Sequence, residues 1–411
     1  MTRHWTGTAL DTLVSADVGP IVSVHDGMTG WPEPRLHKAY AATCDLDALF
    51  GQSLLANAGG IGVTARTARS AALGEAIERY SAAFAPPSRL RRCRADELTG
   101  AEVPPVEDWR LLGAPSPTGS HDVGAGDELH WVLATNLMTS AATWLPAHRV
   151  FLADLDDPAR YPLATSTGLA CHVDPWQALL TALLEVVERD AVLAGWSTRT
   201  PGEAIDWVPQ DPSDAEYRGR FRDAVESYHL VRMPGPTSIP AVFAVAFGAA
   251  GQAPVAVGAA ARLTEGDACR RALTEARQSV EWTMLMRADG VAVPTAAELT
   301  QLEDHVRYYL DPARLRAFEF LDLGDPVRRV TGAPGASAAE DGVRQVQSAL
   351  AEAGLAAYAC DVTTPEVRRC GGWVVRAVVP GLYPLHVGAA PFAGHPRLHG
   401  AAINPDPHPF P

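Results

Sequence analysis

Apolar residues recur along the chain with two different spacings, one typical of helices and one typical of strands. The helical spacing predicts helices over 64–84, from Asp174 to about Trp196, from Thr264 through 270–279, and over 343–354. Short apolar runs predict strands, which are 131–138, 143–151, 239–247, 254–260, 356–363 and 373–379. Since the two kinds of element alternate, we expect an α/β (α+β) fold with mixed sheets.

Helix ends and loops are also marked in the sequence. Asp174 stands before Pro175 and Gln177, which is the pattern of an N-cap, a first-turn proline and a capping box. Thr264 is a plausible cap for the third helix. Stretches rich in polar residues, glycine or proline predict connections without regular structure, at 101–130, 200–227 and 331–342.

A short acidic motif occurs in two of the predicted helices and, in a related form, in a third. Residues 72–81 read ALGEAIERYS and residues 182–191 read ALLEVVERDA, so each has two glutamates three residues apart and then an arginine. The third segment, RRALTEARQS, spans 270–279. The residues that form the motif in the three segments are Glu75, Glu78, Arg79, Glu185, Glu188, Arg189, Arg271, Glu275 and Gln278.

Glutamates three residues apart on a helix project from the same face. Such a pair is common on a solvated helix, and a single copy would indicate a surface helix. Here both copies lie in apolar, alanine-rich helices, where an acidic stripe is costly unless it lines a cleft or binds ions. Two such helices facing each other would gather four carboxylates, which need cations, and hard oxygen ligands favour magnesium or calcium.

The composition is that of a globular protein, with 411 residues of which 47% are hydrophobic and 20% charged. The net charge of −14 argues against a nucleic-acid partner bound through its phosphates, although a nucleotide site needs only local cations. No apolar run is long enough to predict a membrane span, and the N-terminus lacks a signal segment. The six cysteines are scattered without a C-x-x-C pair, which predicts a reduced, cytoplasmic protein.

The familiar phosphate-binding motifs, G-x-G-x-x-G and G-x-x-x-x-G-K-[ST], do not occur in the sequence. Gly59, Gly60 and Gly62 stand just before the first acidic helix. They predict either a simple turn or a segment that contacts phosphate, and the sequence does not separate these two interpretations.

The acidic segments, taken with their neighbours, resemble the YcaO family of ATP-dependent enzymes that activate peptide backbone amides. The segments are GGIGVTARTARSAALGEAIER, STGLACHVDPWQALLTALLEVVERDA and RRALTEARQS, and the later segment DVTTPEVRRCGGWVVRAVVPGLYPL agrees with them. The resemblance spans 55–411 and implies a YcaO-type ATP-binding domain without a Walker loop, with 1–54 packed on it or extending it. It also implies ATP and Mg²⁺ as cofactors.

The resemblance assigns roles to residues at the matching positions. The implied metal ligands are Glu75, Glu78, Glu185, Glu188 and Glu275. The implied nucleotide-binding residues are Ser70, Arg79, Glu185, Arg271, Glu275 and Gln278, and the implied catalytic arginines are Arg189 and Arg271. The sequence departs from the family's usual pattern at Ile61, Thr167, Val173 and Gln177, which leaves open how adenine and a second ion are held.

The last residues, 404–411, are rich in proline and end in a P-x-P-x-P pattern. Taken alone, this pattern favours a disordered, polyproline-like tail. Within the family, it resembles the tail of the azoline-forming cyclodehydratases, which runs into the active site. The resemblance therefore implies a catalytic role in proton transfer for the terminal carboxylate of Pro411.

The function implied by the resemblance is an ATP-dependent cyclodehydratase. It would convert Cys, or Ser and Thr, of a ribosomally made precursor peptide to thiazolines or oxazolines through phosphorylation of the backbone amide oxygen. The implied partners are the precursor peptide, an E1-like protein that binds its leader, and a flavin dehydrogenase, with the enzyme itself a homodimer. Two alternatives stay open, a thioamide- or amidine-forming enzyme and a non-catalytic scaffold or peptide-binding subunit.

Overall fold

The computed structural model describes residues 9–28, 36–50, 57–105, 108, 124, 126–153, 155–156, 164–208, 212–222, 227–248, 255–331, 338–388, 394–398 and 400–410. The strands in these residues are β1 (Ile21–Gly27), β2 (His37–Thr43), β3 (Asn57–Gly62), β4 (Leu90–Cys93), β5 (Leu129–Asn136), β6 (Ala142–Pro146), β7 (Leu169–His172), β8 (Glu203–Trp207), β9 (Ser227–Met233), β10 (Ala241–Phe247), β11 (Ala256–Ala261), β12 (Arg328–Val330), β13 (Tyr358–Asp361) and β14 (Trp373–Val378). The α-helices are α1 (Leu46–Phe50), α2 (Ala65–Ala83), α3 (Pro175–Ser197), α4 (Pro212–Arg222), α5 (Glu265–Ala288), α6 (Leu302–Tyr308), α7 (Ala339–Glu352) and α8 (Pro365–Arg369).

The strands form three sheets, so the predicted mixed α+β architecture is confirmed. The first sheet has the order β1-β2-β3, and the second has the order β4-β5-β13-β14-β7 with β6 paired to β5. The third has the order β11-β10-β9-β8-β12, in which β12 is parallel to β8. The first sheet joins strands from both sides of residue 54, and a domain boundary there stays a prediction.

The three helices that carry the acidic segments each pack between two sheets. Helix α2 contacts β2 and β3 of the first sheet and β7 of the second. Helix α3 contacts β14 and β7 of the second sheet and β10 and β11 of the third. Helix α5 contacts β10 and β11 of the third sheet and returns to β3 of the first. The three sheets and three helices therefore alternate around a common centre, which places the acidic segments near one another.

Two glycines let these helices approach the strands closely. A Cβ atom on Gly60 of β3 would lie 2.1 Å from the backbone oxygen of Ala68 in α2. A Cβ atom on Gly258 of β11 would lie 2.2 Å from the backbone nitrogen of Ala276 in α5. Neither space admits a side chain, so glycine at these positions sets how closely each helix sits against its strand.

The four predicted helices are present, and the two for which a cap was predicted start after it. Asp174 accepts a hydrogen bond from the backbone of Trp176, and Thr264 accepts one from the backbone of Asp267. The predicted capping box at Gln177 is wrong, because its amide donates to Thr181 one turn later.

Two other predictions of local structure are wrong. The stretch 200–227 is not a plain connection, since it holds β8 and α4. In β8 the half-buried Asp206 stands between the buried Ile205 and Trp207, and that alternation is a strand pattern. The predicted strand 143–151 stops at Pro146, which lacks the N–H that would continue the ladder. Residues 59–62 lie in β3 and do not form the turn that was one of their two interpretations.

Candidate functional site

Each of the four glutamates of the paired motifs accepts a hydrogen bond from one backbone N–H of a neighbouring strand or turn. In α2, Glu75 accepts from Gly59 N at 3.0 Å and Glu78 accepts from Cys171 N at 2.7 Å. In α3, Glu185 accepts from Gly168 N at 3.2 Å and Glu188 accepts from Ala261 N at 3.3 Å. These bonds fix the carboxylates in place and leave most of their lone pairs free for a ligand.

The carboxylates of different helices interact electrostatically. Burial raises the pKa of Glu78 well above its ordinary value, and the negative charge of Glu185 raises it further. Burial also raises the pKa of Glu185, with a smaller contribution from Glu275. Burial and then the charge of Glu275 raise the pKa of Glu188 to about 8. The prediction that the acidic helices face one another therefore matches the structure, and the cluster resists holding all its negative charge without a cation.

The third helix adds a carboxylate and an amide to this cluster. Glu275 of α5 is paired with Arg271 one turn earlier, with 2.9 Å between Oε1 and Nε. The Gln278 amide lies against β3, where a Cβ atom on Gly59 would come within 2.8 Å of its Nε2 atom. Gly59 is thus in contact with side chains of both α2 and α5, which is the close approach that glycine permits.

Ser70 is exposed on α2, more than one turn before Glu75. Within the part of the chain that the structure describes, no hydrogen bond links its hydroxyl to the other predicted residues. The structure therefore brings together nine of the predicted residues and leaves Ser70 at the outer end of the helix. The nine are Glu75, Glu78, Arg79, Glu185, Glu188, Arg189, Arg271, Glu275 and Gln278.

Arginine N–H groups in this cluster lack protein acceptors. The Nε and Nη1 atoms of Arg189 and the Nε atom of Arg79 are buried and have no hydrogen-bond partner among the residues that the structure describes. Buried guanidinium groups are costly unless they meet an anion, and their planar fork suits phosphate oxygens.

The carboxylates by themselves do not form a metal cage. In the described ranges, no three His, Cys, Asp or Glu side chains are close enough together to hold a metal ion. Magnesium in nucleotide sites usually takes one or two carboxylates and completes its shell with phosphate oxygens and water. Arginine N–H groups that lack acceptors thus lie beside carboxylates that lack cations. This arrangement fits a site that binds a polyphosphate together with Mg²⁺.

Three arginines near the cluster, of which Arg149 and Arg376 are buried and Arg262 is half-buried, were not identified from the sequence. Arg376 of β14 is close enough to Glu185 to interact with its charge, and burial lowers its pKa to about 10. Arg149 is close to Arg376, and burial lowers its pKa to about 10 as well. Arg262 follows β11 and interacts with Glu188 and Glu275, while burial lowers its pKa. The available signal was a single charged residue inside or at the end of an apolar strand, as in WVVRAVV at 373–379.

Asp190 was also missed, although it directly follows Arg189 in the second motif. It is fully buried, and its carboxylate makes two hydrogen bonds with Arg397, at 2.8 and 3.0 Å. The backbone N–H of Tyr383 donates to the same carboxylate at 2.8 Å. Asp190 therefore fixes α3 against the segment that follows β14, which holds Glu188 and Arg189 toward the cluster.

The tail lies inside the protein, in contrast to the disordered tail that its composition alone favours. Asn404, His408 and Phe410 are 1%, 2% and 3% exposed. The guanidinium of Arg189 lies over the ring of Phe410, with 5.1 Å between Cζ and the ring centroid. The tail thus reaches the second acidic motif, as expected from the resemblance, while the predicted catalytic residue Pro411 lies outside the described residues.

Comparison with protein families gives one match that covers most of the chain. A model described as YcaO cyclodehydratase, ATP- and Mg²⁺-binding, matches residues 59–383. Among curated proteins, an uncharacterised protein of Methanothermobacter thermautotrophicus is 30% identical over 225 residues, which are 54% of this chain and 56% of that protein. The chain therefore spans little more than half the length of that relative. No helix in the described part of the chain has the length and apolar character needed to cross a membrane.

Solved structures with the same fold are more distant in sequence. A heterocyclase in complex with substrate and cofactor has a TM-score of 0.75 at 21% identity, covering 99% of this chain and 58% of that chain. YcaO from Methanopyrus kandleri bound with AMPPCP and Mg²⁺ has a TM-score of 0.63 at 20% identity, covering 88% and 86%. The E. coli microcin synthetase McbBCD complex with pro-MccB17 bound has a TM-score of 0.62 at 15% identity, covering 94% and 96%. At these identities the likeness establishes the fold.

Proposed function

The chain belongs to the YcaO family, and we propose that it is an ATP-dependent cyclodehydratase acting on a ribosomally made peptide. The family description, ATP- and Mg²⁺-binding, agrees with the predicted cofactors. The observation that carries the proposal is the meeting of three helices at one cluster, where buried carboxylates repel one another beside arginine N–H groups that lack acceptors.

In the proposed site, Glu75, Glu78, Glu185, Glu188 and Glu275 hold magnesium, while Arg79, Arg271 and Gln278 contact the nucleotide. Bound ATP, with its charge neutralised by Mg²⁺, would supply a phosphoryl group to the former amide oxygen after the side chain has added to the amide carbon and closed the five-membered ring. Phosphate would then leave with that oxygen as the ring nitrogen loses its proton and the C=N bond forms. Arg189 donates its unpartnered Nε–H and Nη1–H groups to the charge on the transferring oxygens.

The attacking side chain, a thiol or hydroxyl of the peptide, loses a proton as the ring forms. As part of the proposal, the carboxylate of Pro411 accepts this proton. The support is the burial of the preceding residues and the contact between Phe410 and Arg189. A thioamide- or amidine-forming reaction would use an external nucleophile and has no observation in its favour here.

The proposed partners are the precursor peptide, an E1-like protein that binds its leader, and a flavin dehydrogenase that acts on the product, with the enzyme a homodimer. The fold is shared with a heterocyclase in complex with substrate and with a synthetase complex that has a pro-peptide bound. This likeness supports a peptide substrate and a partner protein as the first combination to reconstitute.

The test is calorimetric binding of ATP with and without Mg²⁺ to the wild type, Glu78→Gln and Glu188→Gln. We expect binding to need Mg²⁺, and each substitution to weaken it at least about tenfold, or about 1.4 kcal/mol. Glu216→Gln on α4 is the matched control, because Glu216 is exposed and has its own i,i+4 arginine, Arg220, at 2.8 Å. A well-folded wild type that binds no ATP, alone or with the E1-like partner, would support the scaffold alternative. With binding established, cyclisation of the peptide in the reconstituted complex decides the reaction itself.

A further inference from the structure

We propose that Trp196, His305 and Tyr309 are positioning residues that hold the tail, defined as residues 404–410, against Arg189. The inference rests on the proposed function, since it concerns how the tail is delivered to that site. It assigns a role to α6, a helix without any of the residues that the sequence analysis selected.

Three consecutive carbonyl groups of the tail each accept a hydrogen bond from a buried side chain. The pairs are Trp196 Nε1 with Asp406 O at 2.9 Å, Tyr309 Oη with Pro407 O at 2.5 Å, and His305 Nδ1 with His408 O at 2.8 Å. Alternate prolines remove N–H donors from this segment, so it cannot pair as a strand or wind as a helix. Its buried carbonyls therefore depend on side-chain donors, which come from α3 (Trp196), from α6 (His305) and from the residue directly after α6 (Tyr309).

The start of the tail is fixed to the end of α3, the helix that carries Glu185 and Glu188. Asn404 donates its backbone N–H to Ser197 O at 2.8 Å and its side-chain amide to Trp196 O at 3.0 Å. These bonds and the three carbonyl contacts fix the tail at four of its first five positions. A chain fixed so often has little freedom two residues later, where Phe410 contacts Arg189.

His305 holds the tail only as a neutral imidazole with its proton on Nδ1. A carbonyl oxygen can only accept, so Nδ1 donates to His408 O, while Nε2 accepts from the backbone N–H of Gly388 at 3.1 Å. The rings of His305 and His408 are stacked, with centroids 3.9 Å apart, and His408 Nε2 lies 2.7 Å from His386 O. A proton on His305 Nε2 would face the Gly388 N–H, so protonation is incompatible with this arrangement.

The variant that tests the proposal is Tyr309→Phe, which removes one donor and keeps the ring that packs on Trp196 and Phe318. Its matched control is Tyr308→Phe, because Tyr308 is the adjacent tyrosine and contacts Arg314 outside the tail. Hydrogen exchange of the peptide that contains the tail is measured by mass spectrometry. We expect exchange about tenfold faster in Tyr309→Phe, because a buried carbonyl is left without a donor, and no change in Tyr308→Phe.

A second pair of variants separates the tail bond from the neighbouring bond at His305. His305→Asn places an amide nitrogen where Nδ1 was, and His305→Gln places its amide near the position of Nε2; both remove the stacked ring. We expect tail exchange to stay closer to the wild-type rate in His305→Asn than in His305→Gln. Equal rates in the two variants, or an unchanged rate in Tyr309→Phe, would overturn the proposed positioning role.

The effect of this positioning on catalysis is tested by measuring substrate binding and turnover separately. A positioning role predicts that Tyr309→Phe lowers kcat for cyclisation about tenfold while the Kd for ATP with Mg²⁺ and the KM for peptide change less than about twofold. Faster exchange with unchanged kcat would overturn the functional part. A wild type that binds ATP and cyclises no peptide would count against the proposed function alone, since the exchange rates still decide whether these donors hold the tail.

Discussion

In α2, Arg79 contacts a glutamate of its own motif, whereas in α3 the corresponding Arg189 contacts the tail. The Arg79 Nη2 atom lies 2.6 Å from Glu75 Oε1, and 35% of the Glu75 side chain is exposed. Arg189 stands 3.8 Å from Glu185 and 3.7 Å from Glu188, beyond hydrogen-bond distance, and its guanidinium lies over Phe410. One motif, ALxExxER, therefore gives a hydrogen-bonded Glu–Arg pair on one helix and only long ion pairs on the other.

The difference shows that the motif fixes which side chains share a helix face and leaves their pairing to the surroundings. In α2, Arg79 lowers the free-energy cost of the negative charge on Glu75, which is partly solvated. In α3 the glutamates are deeper, and Glu188 is 4% exposed, so the nearest compensation has to come from a ligand or from protonation. Glu188 should therefore respond more strongly to substitution, pH and magnesium than Glu75.

The largest expected effect concerns the residue after the arginine, which is Tyr80 in the first motif and Asp190 in the second. Asp190→Ala removes the fully buried acceptor of two bonds from the half-buried Arg397 and of one from the Tyr383 N–H, and we expect the free energy of unfolding to fall by about 4 kcal/mol. Tyr80→Phe removes one hydrogen bond to Glu366 and should cost about 1 kcal/mol. Urea denaturation measures both, and equal losses would show that the two motifs are anchored alike.

The next effect is a gain of stability. The pKa of Glu188 is raised from 4.5 to about 8 in the folded protein, so the folded state binds the proton more tightly than the unfolded state. The free energy of unfolding therefore falls as pH rises from about 4.5 to about 8. Glu188→Gln removes this slope, and we expect it to be more stable than the wild type at about pH 7, on the order of 3 kcal/mol.

Glu75→Gln is the control for this gain, because it loses the ion pair with Arg79 and should be destabilised by up to about 1 kcal/mol. Urea denaturation of both variants at about pH 5, 7 and 8.5 gives the comparison. A gain of the same size in Glu75→Gln would mean that the charges of Glu75 and Glu188 are equally costly in the folded protein. The same Glu188→Gln variant should bind ATP with Mg²⁺ poorly, so stability and binding are expected to change in opposite directions.

The features that could be predicted from the sequence are those that depend on residues close together in the chain. Asp174 and Thr264 cap helices through residues two or three positions away, and the motif spacing placed Glu185 and Glu188 on one face. The buried Arg376 could not be assigned to the site, because its approach to Glu185 depends on how β14 packs on α3. The composition of the tail did not decide whether it is ordered, because the side chains that donate hydrogen bonds to its carbonyls lie about 100 to 210 residues away in sequence.

A smaller, pH-dependent effect comes from the buried histidines of the tail region, where His408 lies close enough to Arg189 to interact with its charge. Burial lowers the pKa of His305 to about 4, so the unfolded chain takes up its proton first as pH falls below about 6.5. Stability from this residue is lost between these values, by about 2 kcal/mol at about pH 5. His305→Asn removes this loss, so the difference between wild type and variant should shift by that amount between about pH 6.5 and 5. A constant difference would contradict a neutral His305 in the folded protein.

The smallest expected effect is the contact that distinguishes the two arginines. A double-mutant cycle with Arg189→Met and Phe410→Leu isolates it, whatever each single change does to the buried carboxylates. We expect a coupling of about 1 kcal/mol between Arg189 and Phe410, as for a partly desolvated cation over a ring. The matched cycle combines Arg189→Met with Phe243→Leu, because Phe243 packs on Phe410, with 5.6 Å between the ring centroids, whereas the ring beneath the Arg189 guanidinium is that of Phe410. A coupling found only in the first cycle means that the ring of Phe410 in the tail offsets the cost of the buried charge of Arg189. Arg189 is then available to a ligand only while the tail is in place.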